Sequence, residues 1–349
     1  MATIRDLSTY TGLSVTTISR ILNNDPTMVA SEATREKVFE AADELGYVMG
    51  AKPNISKSLT IGLAEMLTPA EQLEEPYFSY MKNYVTQQCA EAGHELVPLP
   101  QVSRAFTYTS PRKLDGIIAI GFFTPEQVEQ LQSISSNVVF LDSSPAEGIN
   151  DSIIINFELA LSIEVKHLVD LGHKKIGYIG PRYMFATEPE RGLDPRMMLF
   201  KRELDQYGLF DEKYVVDTIM SASFAYSAMN EYLTNCDDLP TAFVTGNEES
   251  AIGALRSINE FGLKVPTDIS LLSFNDTPKA KLTHPPLTSV SVQMMERAVL
   301  ALYILSQRCG GPQMGTSLPL KIVVPPTLVV RQSTSSPRDF TPQEDRESA

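Results

Sequence analysis

A short segment near the start of the chain carries hydroxyl and guanidinium side chains on one face. Thr16, Thr17, Ser19 and Arg20 lie among apolar residues that recur every three or four positions. That spacing predicts a helix with one buried stripe, which leaves the polar residues on the solvent side. Their hydrogen-bonding groups would project together, and a face of this kind can enter the major groove of DNA. The predicted buried stripe consists of Val15, Ile18, Ile21 and Leu22.

Three short helices would hold this polar face in place. Gly12 can adopt a positive φ and so ends a first helix, while Ser14 is a good N-cap for the helix that carries Arg20. Ser31 caps a third helix, and Gly46 closes it. The result is either a helix-turn-helix unit or an ordinary helical bundle without a role on DNA. The residues expected to face inward are Ile4, Leu7, Tyr10 and Thr11 in the first helix and Val38, Phe39, Ala42 and Leu45 in the third.

A second set of polar side chains follows short apolar runs farther along the chain. Most of these residues are carboxylates and amides that stand where a predicted strand would end. Vicinal hydroxyls of a sugar match the fork of a carboxylate or an amide, and an aromatic ring such as Tyr77 or Phe78 can cover the apolar face of a pyranose. Taken singly, the same residue types are better explained as helix caps and turn formers. The set consists of Asp142, Asn247, Glu248, Asn275 and Asp276, with Arg196 at the start of a predicted helix.

The elements that would position this second set form a repeating pattern. From residue 59 onward, short apolar runs alternate with amphipathic stretches, which is typical of buried parallel strands joined by helices. Because ligands of such open sheets bind beyond the carboxyl ends of the strands, two doubly wound α/β subdomains with a cleft between them are expected. The predicted strands are 61–64, 96–97, 117–120, 138–141, 153–155, 175–179, 215–220, 242–245 and 269–274, and the predicted helices are 78–92, 127–131, 159–171, 195–207, 226–233 and 249–261.

Length and charge narrow the classes of protein. The 349 residues leave room for two compact units beyond the helical one, and no run approaches the ~20 apolar residues that span a membrane. Without an export signal, a cytoplasmic location is expected. The net charge of −14 predicts modest non-specific affinity for DNA, although most acidic residues of the first unit lie along the third helix or in loops, away from the polar face.

No constellation for catalysis or metal binding is recognisable in the sequence. Cys89, Cys236 and Cys309 are far apart and lack C-x-x-C spacing, and the four histidines are scattered. The chain also lacks a P-loop, a Gly-x-Ser-x-Gly motif and a glycine-rich nucleotide fingerprint. We therefore expect no cofactor, no metal ion and no enzymatic activity.

Several separate motifs resemble the LacI/GalR family of bacterial transcription regulators. Residues 2–23, 31–38 and 44–47 are similar to the family's DNA-binding headpiece, and residues 61 to about 331 resemble its effector domain. The resemblance implies an N-terminal all-α helix-turn-helix headpiece followed by an α/β periplasmic-binding-protein-like effector domain made of two doubly wound subdomains. The effector-domain motifs are the segments 167–180, 240–253, 265–276 and 285–290.

The same motifs imply which residues contact DNA and effector. Arg20 is the firmest base-reading position, because a guanidinium bonds a guanine bidentately and contributes roughly 1–3 kcal/mol of discrimination. Glu248 replaces the family's usual aspartate, and Asn275 stands where lactose-type repressors have aspartate, so the hydrogen-bond polarity at position 275 is open. The implied base-reading residues are Val15, Thr16 and Arg20, and the implied phosphate contacts are Thr3, Ser14, Thr17, Ser19, Asn23, Ser31 and Thr34. The implied effector contacts are Tyr77, Phe78, Asp142, Asp194, Arg196, Met220, Asn247, Asn275, Asp276 and Met294.

These patterns divide the chain into four expected parts. The parts are a headpiece at 1–47, a linker at 48–60 without the family's hinge-helix pattern, a sugar-binding and dimerisation domain at 61–331, and a disordered tail at 332–349. The effector domain is expected to divide into one subdomain from 61–157 plus 288–312 and another from 158–287 plus 313–331.

The resemblance implies a repressor that binds a pseudo-palindromic DNA operator as a homodimer and responds to a sugar in its cleft. Residues 76–78, 194–196 and 275–276 are most similar to the branch of galactose-operon repressors and the evolved β-galactosidase repressor, which favours a galactoside. Three alternatives stay open: another sugar or a corepressor as effector, a sugar-metabolism enzyme with a DNA-binding appendage, and a transport protein with the same cleft. The missing catalytic motifs oppose the second, and the headpiece and missing export signal oppose the third.

Overall fold

The chain folds into two compact units, Met1–Lys57 and Ser58–Ala349. A computed structural model describes residues 4–22, 30–45, 58–182, 194–310 and 317–338. Most of the predicted linker, Gly46 as the predicted end of the third helix, and residues 339–349 of the predicted tail lie outside the described residues.

The first unit is helical in its described part. Its helices are α1 (Ile4–Thr11), α2 (Val15–Leu22) and α3 (Glu32–Glu44). Gly12 has a φ of +73° and ends α1, as predicted. Ser14 and Ser31 are the predicted N-caps, since their hydroxyl oxygens accept the backbone N–H of Thr17 at 3.1 Å and of Thr34 at 3.3 Å. The fully buried core residues are Leu7, Ile18, Ile21 and Val38.

Three residues predicted to face inward lie at the surface instead. The exposed fractions are 57% for Tyr10, 41% for Phe39 and 40% for Val15. Phe39 follows Val38 and therefore lies about 100° farther around α3, away from the core. The phenol of Tyr10 donates a hydrogen bond to Glu44. The buried stripe of α3 is Val38, Ala41 and Ala42.

The second unit alternates strands and helices around two six-stranded sheets. Its strands are β1 (Thr60–Glu65), β2 (Glu95–Leu99), β3 (Gln101–Val102), β4 (Ala105–Phe106), β5 (Gly116–Ile120), β6 (Val138–Leu141), β7 (Asp151–Ile155), β8 (Ile176–Gly180), β9 (Val215–Asp217), β10 (Ala242–Thr245), β11 (Ser270–Asn275), β12 (Thr288–Ser291), β13 (Lys321–Val324) and β14 (Thr327–Val329). Its helices are α4 (Tyr77–Glu91), α5 (Pro125–Ile134), α6 (Phe157–Asp170), α7 (Arg196–Asp205), α8 (Ala222–Asn235), α9 (Glu248–Glu260) and α10 (Met294–Cys309).

Both sheets are open and almost entirely parallel. The first has the order β13-β7-β6-β5-β1-β2 and the second β14-β12-β11-β10-β8-β9. The paired strands of these two sheets run parallel except β14, which is antiparallel to β12. β3 and β4 form a separate antiparallel pair. Central strands such as β5 and β8 are buried along their whole length, as expected for sheets covered on both faces. The predicted pair of doubly wound subdomains is confirmed.

The predicted boundaries between the subdomains are wrong at two strands. The predicted boundaries place β12 with the first sheet, whereas it pairs with β11 in the second. They place β13 with the second sheet, whereas it pairs with β7 in the first. α10 packs on the first sheet, as expected. Pairing between strands far apart in sequence decides sheet membership, and a local apolar pattern does not encode it. Only Pro325 and Pro326 separate β13 from β14, so the chain passes between the sheets there.

The first part of the predicted disordered tail is ordered. Ser333 is buried, and its hydroxyl donates to the Leu271 carbonyl at 2.5 Å and accepts the Thr288 N–H at 2.8 Å. The backbone N–H of Ser335 donates to the hydroxyl of Ser270 at 3.0 Å. Hydroxyl side chains thus hold residues 333–335 on the second sheet without the apolar periodicity by which sequence patterns reveal packed segments.

Helices α8 and α9 pack closely at Gly253. A Cβ atom at this position would lie 2.2 Å from the carbonyl oxygen of Ala222 and 2.9 Å from the backbone nitrogen of Tyr226. These are backbone atoms of α8, so the helices would have to move apart to admit a side chain.

Gly253→Ala should therefore destabilise the second unit. We expect the free energy of unfolding to fall by roughly 1–3 kcal/mol, as for overpacked cores, with a lower thermal midpoint. The matched control is Gly148→Ala, at an exposed position where a Cβ would meet no atom within 4 Å. Equal midpoints for the two variants would contradict the close packing of α8 and α9.

Candidate ligand-binding cleft and DNA-binding surface

Residues at the carboxyl ends of strands from both sheets border a cleft between the two subdomains. Asp142 follows β6 and Ile155 ends β7 on the first side, while Phe274 and Asn275 end β11 on the second. Because parallel strands end at the same edge of a sheet, these side chains meet although they are far apart in sequence. The cleft lies beyond the carboxyl ends of the strands, as the βαβ pattern predicts.

Asp142 is held by two residues of its own subdomain. The phenol of Tyr77, the first residue of α4, donates to Asp142 Oδ1 at 2.7 Å. Arg297 of α10 donates through Nη1 to the same oxygen and through Nη2 to the Tyr77 phenol, and its side chain is fully buried. Asp142 Oδ2 has no hydrogen-bond partner within the described part of the chain. The carboxylate therefore keeps one oxygen able to accept a hydroxyl from the cleft.

Arg196, the first residue of α7, is fixed in the opposite wall. Its Nη2 and Nε donate to the carboxylate of Asp194 at 2.6 and 2.9 Å, and its Nη1 donates to the carbonyl of Gly246. Its guanidinium carbon lies 5.6 Å from the ring centre of Phe157 and 5.5 Å from that of Phe274. Ion pairing and ring contacts together orient the guanidinium.

A sharp turn at the end of β11 separates two neighbouring polar side chains. Asn275 and Asp276 have φ values of +102° and +54°, in the left-handed region that Asn and Asp tolerate better than most residues. Asn275 lies in the cleft wall. Asp276 instead accepts from Arg331 Nη2 at 2.5 Å. The turn therefore places only the amide in the cleft wall.

A hydrogen bond joins the two subdomains at the cleft, from Asn247 to Glu75. Asn247 Nδ2 donates to Glu75 Oε1 at 2.9 Å and to the Met220 carbonyl at 3.1 Å. Its Oδ1 accepts the N–H of Ser250 at 2.9 Å and so caps α9. Burial raises the pKa of Glu75 to about 7, while the bond from Asn247 and the charge of Arg196 act to lower it.

Glu248, which replaces the family's usual aspartate, lies outside the cleft wall. Its carboxylate accepts the backbone N–H of Thr277 at 2.8 Å and the Thr277 hydroxyl. Burial raises the pKa of Glu248 to about 7, although both bonds lower it. The longer side chain thus braces the turn after β11.

The structure places the ten predicted effector contacts in two groups. The cleft wall includes Tyr77, Phe78, Asp142, Arg196, Met220 and Asn275. The residues that lie outside the wall are Asp194, Asn247, Asp276 and Met294. Asp194 holds Arg196, Asn247 uses both polar atoms of its amide within the protein, and Met294 is buried at the start of α10. A direct contact between any of the ten and an effector remains a prediction.

Sequence reasoning missed seven residues of the wall. Arg297 carried a signal, since it stands at helical spacing among the buried apolar residues of α10, where an arginine requires a buried partner. No sequence signal pointed to Glu75, because its partner Asn247 is 172 residues away. The missed residues are Glu75, Phe122, Ile155, Phe157, Phe274, Val292 and Arg297.

The predicted DNA contacts of the first unit group at two helix N-termini and along α2. The hydroxyls of Ser14 and Thr17 lie 2.8 Å apart at the start of α2, and those of Ser31 and Thr34 lie 2.7 Å apart at the start of α3. Helix N-termini attract phosphate. Val15 and Thr16 are exposed, and Thr17, Ser19 and Arg20 are partly exposed. Thr3 and Asn23 lie outside the described residues.

The described residues contain neither a candidate metal site nor a candidate membrane-spanning helix. Within them, no three His, Cys, Asp or Glu side chains are grouped so as to hold a metal ion. No described helix has the length and apolar character to cross a membrane. Cys89, Cys236 and Cys309 are free thiols.

Arg297→Met should destabilise the second unit because it leaves the Asp142 carboxylate buried without its cation. We expect a loss of about 3–5 kcal/mol in the free energy of unfolding. The double variant Arg297→Met with Asp142→Asn should recover part of that loss. As a control, Arg256→Met removes an exposed pair with Glu260 and should cost less than about 1 kcal/mol. Additive effects in the double-mutant cycle would contradict the proposed coupling.

Glu75→Gln should remove a pH dependence of stability. The pKa of Glu75 is about 7 when folded against an ordinary 4.5, so between these pH values the folded chain keeps a proton that the unfolded chain releases. The wild-type free energy of unfolding should therefore fall relative to that of the variant as pH rises through this window, by at most about 3 kcal/mol. Denaturant titrations from pH 4 to 8 measure the difference, with Glu74→Gln at the exposed neighbour as control. A difference that does not change with pH would contradict the burial of Glu75.

Comparison with known proteins gives a consistent result for both units. Residues 3–49 match the bacterial regulatory proteins of the lacI family, and residues 165–334 match the periplasmic binding protein-like domain. The chain is 32% identical over 342 residues to the HTH-type transcriptional repressor MelR of Bacillus subtilis (strain 168), which covers 95% of this chain and 97% of the relative. It is 31% identical over 310 residues to the HTH-type transcriptional regulator GanR of the same organism, covering 88% and 93%.

A solved structure has the same fold along nearly the whole chain. The lac repressor dimer bound to operator and the anti-inducer ONPF has a TM-score of 0.64 and 24% sequence identity, and the match covers 96% of this chain and 99% of that one. The helix-turn-helix unit, the two largely parallel sheets and the similar relatives all indicate the same family. The chain belongs to the lacI family of bacterial regulatory proteins and is a DNA-binding transcription regulator.

Proposed function

We propose that this regulator represses genes for the use of a galactoside or a related carbohydrate. It acts in the cytoplasm as a homodimer on a pseudo-palindromic operator and leaves the DNA when the sugar binds its cleft. The observation that carries the proposal is a cleft with hydrogen-bonding groups from two subdomains, in the same chain as a helix-turn-helix unit. We assign the cleft a binding role and no catalysis.

The charges of the cleft favour a neutral, hydroxyl-rich effector. Asp142 offers an acceptor oxygen, and the amide of Asn275 can both donate and accept. Both arginines of the wall are paired with aspartates, so an anionic ligand would meet carboxylates as well as cations. The rings of Phe78, Phe157 and Phe274 line the same space and suit the apolar face of a pyranose.

A sugar in this position would couple ligand binding to DNA release. By contacting Asp142 on one side and Asn275 on the other, it would favour one relative position of the two subdomains. In a dimer, the spacing of the two headpieces would follow from that position, and operator half-sites tolerate only a narrow range of spacings.

The choice of a galactoside rests on the resemblance of residues 76–78, 194–196 and 275–276 to the galactose branch. Two of the relatives are described as a transcriptional repressor and a transcriptional regulator, and the similar solved structure holds operator DNA. The second candidate is a regulator of the same kind whose effector is another sugar or a corepressor. Measuring whether the ligand weakens or strengthens operator binding separates induction from corepression.

Asn275→Gly tests the cleft without straining the turn, because glycine adopts the positive φ of this position readily. Operator DNA is first selected from a random library, and galactose, lactose and other sugars are then screened for DNA release. We expect the variant to bind operator normally and to need at least about tenfold more sugar for release, equal to about 1.4 kcal/mol. The control is Ser103→Gly, at an exposed positive-φ residue outside the cleft wall. If both variants release operator DNA at the same sugar concentration, the assignment of the cleft as the effector site is contradicted.

Arg20→Ala tests the DNA-binding half of the same chain. Loss of a bidentate contact to guanine should weaken specific operator binding by roughly 1–3 kcal/mol per headpiece and leave sugar binding unchanged. Fluorescence anisotropy with operator and scrambled duplexes measures the first quantity, and calorimetry measures the second. If the variant distinguishes the two duplexes as well as the wild type does, Arg20 is not a base-reading residue.

A further inference from the structure

A second concave surface lies away from the cleft, at one edge of the second sheet. This groove of about 540 Å³ runs between α8 and the edge strand β9, and residues 236–238 after α8 close one side of it. We call it the α8 groove. None of the described residues in its wall lines the cleft, so the α8 groove is a separate space.

Strand β9 and helix α8 both give the α8 groove apolar surface. Val215 and Val216 of β9 are buried, and Ala228 and Tyr232 of α8 are partly buried against the core of the second subdomain. The ring of Tyr232 packs edge-on against Phe243, with the ring centres 5.9 Å apart. This contact holds the Tyr232 ring in the wall. Apolar parts of a ligand that cover such surface are removed from water, which favours binding.

The rim of the α8 groove is acidic and open to solvent. Glu231 of α8 and Asp237 after it are exposed and belong to the wall. Among the described residues of the wall, Lys213 is the only cation, and its ammonium lies 3.1 Å from the carboxylate of Asp238. The cation of the wall is therefore neutralised within the protein, and the rim keeps a negative potential.

An apolar surface below an acidic rim favours a ligand with an apolar stem and a cationic end. Lysine and arginine side chains have this form, and their charged groups are also attracted to an aromatic face such as that of Tyr232. Sites for small molecules enclose most of their ligand, whereas this groove is open along its rim. A second copy of the chain carries the same net charge of −14 and would be repelled.

We propose that the α8 groove binds a basic segment of a partner protein. Lysine or arginine stems of the segment lie on Val216 and Tyr232, and their charged ends lie at Glu231 and Asp237. The partner is held on the second subdomain without entering the cleft, so it can be bound together with an effector. The proposal does not depend on which effector the cleft takes.

A synthetic peptide of alternating arginine and valine is the first probe. Fluorescence anisotropy measures its binding to the full-length protein without DNA, beside a peptide of alternating glutamate and valine. We expect the arginine peptide to bind at least about tenfold more tightly. Asn235→Trp, at an exposed position of the wall, should fill the groove and weaken binding by about tenfold. Thr234→Trp, at the exposed neighbouring position outside the wall, should change it by less than about twofold.

A matched pair of double variants tests the rim. Glu231→Gln with Asp237→Asn should weaken binding of the arginine peptide by about tenfold. Glu126→Gln with Glu129→Gln removes the same charge from exposed positions of α5 and should change binding by less than about twofold. Thermal unfolding without peptide checks that each variant is folded.

Cysteine alkylation locates the peptide on the unmodified chain, so the test does not depend on any one variant folding. Cys236 lines the α8 groove and is partly exposed, and Cys309 is partly exposed outside its wall. The arginine peptide should slow the reaction of iodoacetamide with Cys236 and leave that of Cys309 unchanged. Equal protection of the two thiols would contradict binding in the groove.

Three further outcomes would overturn the proposal. If the arginine peptide does not bind, the groove takes no basic segment. If groove variants and their controls lose the same affinity, the peptide responds to the net charge of the chain alone. If spermidine binds more tightly than the peptide and Asn235→Trp abolishes its binding, the groove is a site for a small amine and the partner segment is wrong.

Discussion

Two buried arginines set the structure of the cleft, because an arginine in a protein interior keeps its charge and must be paired there. Arg297 is paired with Asp142 in the first subdomain, and Arg196 with Asp194 in the second. Each pair lies within one subdomain, so each wall of the cleft is organised without help from the other. Each wall therefore presents polar groups that are held by partners in its own subdomain.

A contact between the two walls depends on a titratable group. Glu75 and Asn247 share a single hydrogen bond, and the raised pKa of Glu75 makes its charge variable near neutral pH. In the described residues, the chain passes between the sheets after β7, after β12 and after β13. Short connections of this kind allow hinge movement while each sheet keeps its packing. The arrangement suits a protein that reports on a ligand by changing the relation of its subdomains.

In the first unit, two residues combine a structural role with a predicted binding role. Its core uses small and aliphatic side chains, and Ser14 and Ser31 cap the helices whose N-termini would face phosphates. Both capping serines are among the predicted phosphate contacts. A local structural role and a binding role therefore do not exclude each other here, which is why cap chemistry alone could not decide between a DNA-binding unit and a plain bundle.

The sequence by itself determined most of the elements up to β11, because strands, helices and caps follow from local periodicity and from single residues such as Gly12, Ser14 and Ser31. It did not predict β3, β4, β12, β13, β14 or α10. It also identified the strand ends at which Asp142 and Asn275 line the cleft. The tertiary structure alone decided the sheet membership of β12 and β13 and the partners of Arg297 and Glu75. It also decided that residues 332–338 are ordered. Each of these depends on contacts between residues far apart in the chain, and only folding brings such residues together.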